Sequence, residues 1–340
     1  MESLTQFELR KKDHIRLALD KNNQASGAGF NRVHLEHDPL PELNFNEIDI
    51  STNFKGEDLS SPFFVSSMTA GHKDSEKLNY TMAKACAKKN WAFAVGSQRK
   101  ELVYDEAKTE WAPIISEFPE LVTFGNIGIS QLIQSQIKDM EALVESINAR
   151  ALFVHLNPLQ ECFQPEGETQ FKGGLAAIKN LANNLSVPVV VKETGCGVGP
   201  RLIEKLMNSG IFALDVSGFG GTHWGRIEGG RTEDGITKST AETFKDWGIH
   251  TVRSLEFAKS ISPDYQIWSS GGIRSGLDGA KSLSMGASMV GIAKPILEAA
   301  LLGEESLLKY MDQIDYELKV ALFCTGSQNL ISIKDRYFYD

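Results

Sequence analysis

The stretch PVVVKETGCGVGPRLIEKLMNSGIFALDVSG, residues 188–218, contains one complete repeat of the predicted fold. Its two ends, 188–195 and 211–218, are short apolar runs without alternation, which is typical of strands buried on both faces of a parallel sheet. Between them, apolar residues recur at helical spacing over 202–206, and Gly210 stands where a helix would stop. The stretch therefore predicts a strand, a helix and a second parallel strand.

The same alternation continues along the chain in both directions. Strands that alternate with helices form either a closed barrel or a doubly wound open sheet. A count of eight favours the barrel, so we predict an α/β fold of the (β/α)₈ TIM-barrel type. The eight runs are FFVSSM (63–68), AFAVGSQ (92–98), LVTFGNIG (121–128), ALFVHLN (151–157), PVVVKETG (188–195), IFALDVSG (211–218), QIWSSGGI (266–273) and ASMVGIAKP (287–295).

Polar residues or glycines stand at the C-terminal end of nearly every run. In a barrel these ends meet at one mouth, where active sites lie, whereas an open sheet would separate half of them. Their position is a second argument for the barrel. The residues are Thr69, Ser97, Gln98, Asn126, His155, Asn157, Lys192, Glu193, Ser217, Gly271, Gly272 and Lys294.

We interpret the chain as a single domain, with the barrel at 63–300, an N-terminal extension at 1–62 and a C-terminal helical segment at 301–340. The glycine-rich segment 217–240, after the sixth run, predicts a long loop that acts as a lid. The alternative is a disordered insertion.

Two further apolar stripes predict helices. Apolar residues over 132–147 recur at three- and four-residue steps, which indicates one amphipathic helix. A weaker stripe over 175–185 indicates another.

Composition narrows the class of protein. The chain has 35 basic and 44 acidic residues, a net charge of −9, which argues against a nucleic-acid surface but not against a phosphorylated small molecule. No stretch approaches the ~20 apolar residues of a membrane span. The N-terminal stretch 1–14 lacks the apolar core of a signal peptide, and the four cysteines form no CxxC pair. We expect a cytoplasmic protein with reduced thiols.

Two features predict an anion site in the mouth. The glycines of SGGIRSG (270–276) and the segment GIAKP (291–295) belong to the last two strands, where barrels often bind phosphate through backbone N–H groups. Lys192, at the tip of a buried strand, requires an anionic partner. That partner is either a ligand, or Glu193 or another neighbouring carboxylate.

The run HLNPLQE (155–161) is the most informative of the eight. It places Glu161 beside amide and imidazole donors, a set that suits Mg²⁺ together with phosphate oxygens. The alternative is a solvated loop glutamate. The cations of RKKDH (10–14) and Arg99 match a diphosphate, although composition alone favours a solvated helix face for the first cluster.

These motifs resemble those of type 2 isopentenyl diphosphate isomerases, in order from residue 10 to about residue 295. HLNxxQE together with SGxGGTxW is specific to that family, whereas SGGIR is shared with many FMN and phosphate barrels. The matching motifs are RKKDHI (10–15), SSMTAGH (66–72), VGSQR (95–99), GNIG (125–128), HLNPLQE (155–161), VKETGCG (191–197), DVSGFGGTHW (215–224) and SGGIR (270–274).

The resemblance implies interconversion of isopentenyl diphosphate and dimethylallyl diphosphate in isoprenoid biosynthesis. This 1,3-proton shift has no net redox change, yet it uses FMN in its reduced form, NADPH as the reductant, and Mg²⁺. The implied partner is a small-molecule diphosphate, with no nucleic acid and no membrane. A homotetramer or larger homo-oligomer is also implied.

The resemblance also assigns roles to individual residues. Glu161 would carry the metal. The catalytic residues would be Gln160, His155, Asn157 and Trp224. The substrate-binding residues would be Arg10, Lys11, Ser97, Arg99, His155, Asn157 and Gln160. The cofactor-binding residues would be Ser67, Met68, Thr69, Ser97, Asn126, Lys192, Ser217, Thr222, Gly272, Ile273, Arg274, Ala293 and Lys294.

Protonation of an alkene needs a strong acid, and Gln160 does not ionise near neutral pH. Our hypothesis is that the reduced flavin provides the proton transfers while Gln160 orients or assists. Protonation of the alkene generates a carbocation, and Trp224 would shield this carbocation from water if the segment 217–240 closed.

Three rival functions fit the sequence less well. A 2-hydroxy-acid oxidase needs a His base and an Arg near the sixth strand in an HGGR arrangement, and SGFGGTHWGR (217–226) lacks it. An enzyme like IMP dehydrogenase needs a cysteine after the sixth strand, and none occurs between Cys196 and Cys324. A non-catalytic flavin- or phosphate-binding barrel would not need both HLNPLQE and RKKDH.

Overall fold

A computed structural model describes residues 4–68 and 73–340, with the backbone alone for residues 4–9, 11, 73, 74 and 105. Eight parallel strands form a closed barrel, in which the eighth strand pairs with the first through Val290 and Phe63. The barrel prediction is therefore confirmed. The strands are β1 (Phe63–Val65), β2 (Ala92–Ala94), β3 (Thr123–Gly128), β4 (Ala151–Leu156), β5 (Val189–Glu193), β6 (Ala213–Asp215), β7 (Gln266–Ser269) and β8 (Met289–Ile292).

Most strands are shorter than the sequence runs that predict them. β1, for example, ends at Val65, although the apolar run continues to residue 68. The polar ends of the runs leave the ladder and become the loops of the mouth. This arrangement is expected of a barrel, in which the strands form the core and the loops form the site.

Helices surround the barrel and cover its mouth. In chain order they are α1 (Leu4–Leu19), α2 (Lys73–Lys89), α3 (Ala112–Glu117), α4 (Ile129–Gln134), α5 (Ile137–Ser146), α6 (Pro158–Phe163), α7 (Gly174–Asn184), α8 (Pro200–Leu206), α9 (Trp224–Arg231), α10 (Gly235–Thr243), α11 (Thr251–Ile261), α12 (Gly276–Ser284), α13 (Lys294–Leu301) and α14 (Glu304–Cys324).

The single helix predicted over 132–147 is wrong, because the chain forms α4 and α5 there. Ser135 and Gln136 are extended at the break. Gln136 and Asp139 form a reciprocal capping box that starts the second helix. The apolar stripe continues across the break, so periodicity alone does not reveal it.

The helix predicted over 175–185 is confirmed as α7. The predicted stop at Gly210 is wrong, since α8 already ends at Leu206. Gly210 has a φ of 80° and belongs to the turn that leads into β6.

The segment 217–240 is not a loop, so that prediction is also wrong. It contains α9 and most of α10, whose first turns are capped by the side chains of His223 and Asp234. Its glycines serve close packing, because a Cβ on Gly225 or Gly229 would overlap side chains of α6 or α10. High glycine content therefore marks helix contacts here.

The terminal segments close the two ends of the barrel. α1 packs on α9 and α13 at the mouth. At the opposite end, a hairpin of strands Thr52–Phe54 and Glu57–Leu59 places Phe54 under the barrel. In the C-terminal segment, α14 packs on α2, α12 and α13, and strand Tyr337–Tyr339 pairs with Val33–Leu35.

Aromatic side chains fill the barrel interior. Phe64, Phe124, Phe153 and Trp268 are fully buried and come from strands β1, β3, β4 and β7, with ring centroids 5.4–6.1 Å apart. Such tilted and edge-on pairs contribute stability beyond their buried area. The packed interior leaves the mouth as the place for a ligand.

Candidate functional site

The loops after the barrel strands enclose a cavity at the C-terminal mouth, beneath α1 and α9. Among the predicted site residues, Thr69 lies outside the described residues, and the side chain of Lys11 is not described. All the others line the cavity. They are Arg10, Ser67, Met68, Ser97, Arg99, Asn126, His155, Asn157, Gln160, Glu161, Lys192, Ser217, Thr222, Trp224, Gly272, Ile273, Arg274, Ala293 and Lys294.

Two polar residues at strand ends do not line the cavity and instead shape its loops. Gln98 accepts a hydrogen bond from the backbone N–H of Asn126 at 2.9 Å. The Glu193 carboxylate accepts from the N–H groups of Gly195 and Gly197 at 2.7 and 3.0 Å. Burial raises the pKa of Glu193 to about 7 against the opposing effect of these hydrogen bonds.

Gly271 and Gly272 form a turn that requires glycine. Their φ values are 93° and 73°, and a Cβ on either would overlap the backbone of Gly218 or Gly220. The main chain is consequently bare where it lines the cavity. α12 begins at Gly276, and its first N–H groups are already satisfied within the protein, since that of Ser275 donates to Asp278 Oδ2 and that of Gly276 donates to Glu317 Oε2.

Lys192 has a buried carboxylate partner. Its ammonium donates to Ser217 Oγ at 3.0 Å and lies 3.6 Å from Asp215 Oδ2. Asp215 is fully buried and also accepts from the Ser270 hydroxyl at 2.8 and 2.9 Å. Of the alternatives open from sequence, the neighbouring carboxylate is therefore Asp215, while Glu193 offers only its carbonyl oxygen.

Two further cations line the cavity near α12 and α13. Arg274 donates to Gln24 Oε1 at 3.0 Å, and Lys294 donates to the carbonyl of Leu19 at 3.2 Å. Burial lowers the pKa of both side chains, because desolvation disfavours their charged forms. An anion bound between them would offset that cost.

Ser66 and Ser67 have buried hydroxyl groups with no hydrogen-bond partner among the described residues. Both side chains line the cavity. Buried polar atoms are almost always satisfied, so these two oxygens indicate that a ligand completes this wall.

α6 carries a hydrogen-bonded cluster. Asn157 Nδ2 donates to Gln160 Oε1 at 3.2 Å and to Glu161 Oε1 at 2.7 Å. The backbone N–H of Glu168 donates to Glu161 Oε2 at 2.6 Å. Burial raises the pKa of Glu161, although these hydrogen bonds and the charge of Arg99 lower it. A nearby cation would favour the ionised carboxylate.

His155, on β4, is oriented by Asn126 on β3. Its Nδ1 lies 3.0 Å from Asn126 Oδ1. With the amide oxygen as acceptor, Nδ1 carries a proton, and the contact fixes the orientation of the ring. The pair links two predicted site residues from neighbouring strands.

Glu228, on α9, is a site residue that the sequence analysis missed. It is fully buried, and its carboxylate contacts His14 Nε2 at 2.8 Å, Arg231 at 2.6 Å and Gln160 Nε2 at 3.0 Å. Burial would raise the pKa of Glu228, but His14 and Arg231 outweigh it and hold the pKa at about 2. The sequence signal for Glu228 is its position one helical turn after Trp224.

Trp224 closes the same side of the cavity. Its ring packs edge-on against His14, with centroids 5.0 Å apart. The contact joins α1 to α9 over the α6 cluster.

Within the described ranges, no group of three or more His, Cys, Asp or Glu residues could hold a metal ion. The hydrogen-bonding neighbours of Glu161 are N–H donors, Asn157 Nδ2 and the backbone N–H of Glu168, so they supply no further oxygen for a metal. A divalent cation at Glu161 would need oxygens from a bound ligand. In the part of the chain that the structure describes, no helix has the length and apolarity of a membrane span.

Residues 133–340 match the family model of FMN-dependent dehydrogenases. Solved structures with the same fold include a mandelate oxidase solved with benzaldehyde, at 16% identity and a TM-score of 0.66, covering 100% of this chain and 99% of that one. A lactate oxidase of Pediococcus acidilactici has 16% identity and a TM-score of 0.64, covering 98% and 93%. These likenesses concern the fold alone.

Curated relatives align over nearly the whole chain. The isopentenyl-diphosphate delta-isomerase of Bdellovibrio bacteriovorus is 50% identical over 98% of both chains. Proteins of the same name from Legionella pneumophila (strain Corby) and Halobacterium salinarum are 48% and 38% identical, covering 98% and 96% of this chain and 98% and 91% of theirs. The chain therefore belongs to the isopentenyl-diphosphate delta-isomerase family, built on the barrel of the FMN-dependent dehydrogenases.

Proposed function

We propose that the protein interconverts isopentenyl diphosphate and dimethylallyl diphosphate by a 1,3-proton shift, as a step of isoprenoid biosynthesis. The observation that carries the proposal is the convergence of four distant segments on one cavity. Arg10, Arg99, Gln160 and Trp224 come from α1, the loop after β2, α6 and α9. These are the residue types that a diphosphate and a carbocation require.

FMN fits the wall formed by the loops after β1, β5, β6, β7 and β8. This wall offers the hydroxyls of Ser66 and Ser67, for which the described part of the chain provides no hydrogen-bond partner, together with the bare backbone of Gly271 and Gly272 and the ammonium of Lys192. Bound FMN in its reduced form would supply a proton donor and an electron-rich ring beside the alkene. The predicted cofactor-binding residues are proposed to hold it, with Lys192 beside the ring.

The protein's own groups on α6 and α9 orient the substrate and do not protonate it. Gln160 does not ionise, and Glu228, with a pKa of about 2, is an anion at neutral pH. Gln160 is fixed at both ends of its amide, by Glu228 at the nitrogen and by Asn157 at the oxygen. We assign Gln160 to orienting the isoprenoid tail, and Trp224 to excluding water from it.

The diphosphate is proposed to lie against Arg10, Lys11, Arg99 and His155. Arg10 is buried in the cavity wall, which supports a contribution of the extension 1–62 to the substrate site. Glu161 is proposed to carry Mg²⁺, which phosphate oxygens would complete.

Further proposals follow from the family. NADPH is the proposed reductant of FMN, and the protein is proposed to be a cytoplasmic enzyme with a single domain. A homotetramer or larger homo-oligomer is likewise proposed from the family.

The test is an anaerobic assay of purified protein with isopentenyl diphosphate, FMN, NADPH and Mg²⁺, in which each component is omitted in turn. We expect dimethylallyl diphosphate only when flavin is reduced and Mg²⁺ is present. Bleaching of bound flavin by a 2-hydroxy acid, without isomerisation of the diphosphate, would instead assign the protein to the oxidases that share its fold.

A further inference from the structure

Glu168 uses all of its polar groups at one corner of the cavity. Its carboxylate accepts from Arg99 Nη2 at 2.6 Å and from Gln131 Nε2 at 3.0 Å. Its backbone N–H donates to Glu161 Oε2 at 2.6 Å, and its carbonyl accepts from Ser130 Oγ at 2.8 Å. A single residue therefore contacts both Arg99, which is proposed to bind the diphosphate, and Glu161, which is proposed to bind the metal.

Gly167 allows Glu168 to reach back to α6. After α6 ends, a turn closed by the hydrogen bond from Gly167 N to Gln164 O reverses the chain. A Cβ on Gly167 would overlap the carbonyl oxygen of Glu161, so the turn has no room for a side chain. The residues QPEGE (164–168) form this turn, and none of them was among the predicted site residues.

The contacts of Glu168 join three separate loops of the mouth. Arg99 follows β2, Gln131 lies on α4 after β3, and Glu161 lies on α6 after β4. Without the contacts of Glu168, Arg99 and Glu161 would lie on separate segments. Their separation, and hence their fit to one ligand, depends on the residue between them.

We propose that Glu168 is a positioning residue that holds Arg99 and Glu161 in the arrangement that binds a diphosphate together with its divalent cation. The inference rests on the proposed function, since it concerns the same cavity. Glu168 acts through Arg99 and Glu161, and no contact of its own with the substrate is invoked.

Glu168 orients Arg99 but occupies only part of its hydrogen-bonding capacity. A guanidinium group has five N–H donors, and Glu168 takes one of them. Because the pair is partly exposed, with side-chain exposures of 23% and 31%, solvent screens the negative charge of Glu168. We therefore expect the gain from fixed geometry to exceed the loss from placing a carboxylate near an anion.

The chain offers a matched control for a Glu168→Gln variant. Arg150 and Glu57 form an ion pair of the same 2.6 Å length, with side-chain exposures of 29% and 37%, at the opposite end of the barrel. Glu57→Gln removes an equivalent ion pair without touching the cavity. Any effect common to both variants reports on folding alone.

The experiment measures binding of Mg²⁺ and inorganic pyrophosphate to the FMN-loaded protein by titration calorimetry, alongside KM and kcat for isopentenyl diphosphate. For Glu168→Gln we expect the pyrophosphate Kd and the KM to rise about tenfold, roughly 1.4 kcal/mol, with kcat within threefold of wild type. FMN affinity and melting temperature should match those of Glu57→Gln.

Two results with the Glu168→Gln variant would overturn the proposal. If Glu168→Gln binds pyrophosphate as well as or better than wild type, Glu168 does not position Arg99. If Glu168→Gln loses FMN affinity and melting temperature beyond the control, its role is structural. Wild-type protein that binds Mg²⁺ and pyrophosphate but does not isomerise would refute the proposed function and leave this inference standing. Wild-type protein that binds no pyrophosphate would refute both.

Discussion

Replacement of Glu228 by glutamine removes the charge at the centre of the contact between α1, α6 and α9. Glu228 is fully buried and contacts His14, Arg231 and Gln160. The substitution preserves shape but leaves two basic side chains beside a neutral amide. Removal of one partner from such a buried network is costly because the remaining groups lose their compensation.

The magnitude follows from the pKa. The pKa of Glu228 falls from 4.5 to about 2, and at about 1.4 kcal/mol for each pH unit this is about 3 kcal/mol of stability. Because the pKa in the folded state is lower than in the unfolded state, this contribution is complete above pH 4.5. It is lost as the pH falls towards 2.

The assay is urea unfolding of the FMN-loaded protein at neutral pH, with Glu57→Gln as the control. We expect Glu228→Gln to lower the free energy of unfolding by about 3 kcal/mol. We also expect kcat to fall on the order of 100-fold, because Gln160 loses its charged acceptor. A variant that stays within about 1 kcal/mol of wild type and keeps its kcat would refute the assigned network.

Three other substitutions test separate parts of the site. Lys192→Met should raise the Kd for FMN on the order of 100-fold in a fluorescence titration of the apoprotein, because a buried cation is lost and Asp215 is left without a counter-charge. Unchanged affinity would remove Lys192 from the cofactor site. The pKa of Glu193, raised from 4.5 to about 7, means that the folded state retains a proton that the unfolded state releases. Wild type should therefore lose about 3 kcal/mol of stability relative to Glu193→Gln as the pH rises from 4.5 to 7, and parallel urea curves for the two proteins would contradict this. Glu161→Gln should abolish the Mg²⁺ dependence of turnover and lower kcat while FMN affinity is kept, and a normal Mg²⁺ titration would exclude Glu161 as the metal ligand.

The barrel was predictable because its signal is local and repeated. A fully buried strand such as β5 has an uninterrupted apolar run, and the next polar residue, Lys192, marks the mouth. An eightfold repeat of this strand and helix pattern favours the closed barrel. The cavity-lining residues at strand ends were predictable for the same reason.

The failed predictions share a different cause, which is packing between elements distant in sequence. Glycines after β6 suggested a loop, yet Gly229 is needed where Ala241 approaches. The break between α4 and α5 depends on side-chain caps at Gln136 and Asp139, and the apolar stripe passes over it. Spacing of apolar residues does not record such contacts.

The missed site residues are of the same kind. Asp215 and Glu228 are charged residues within otherwise ordinary segments, and their importance follows from complete burial beside Lys192 and Gln160. Burial of a charge is a tertiary property. Glu168 is similar, because its role depends on a turn that brings it back to α6.

The most direct test of the isomerase assignment follows the proton. The FMN-loaded, reduced protein is incubated with isopentenyl diphosphate and Mg²⁺ in D₂O, and the product is examined by mass spectrometry while NADPH consumption is recorded. The account predicts dimethylallyl diphosphate that carries solvent deuterium, with many turnovers for each NADPH consumed. Product formation that consumes one NADPH per turnover, or that incorporates no deuterium, would contradict a proton shift without net redox change.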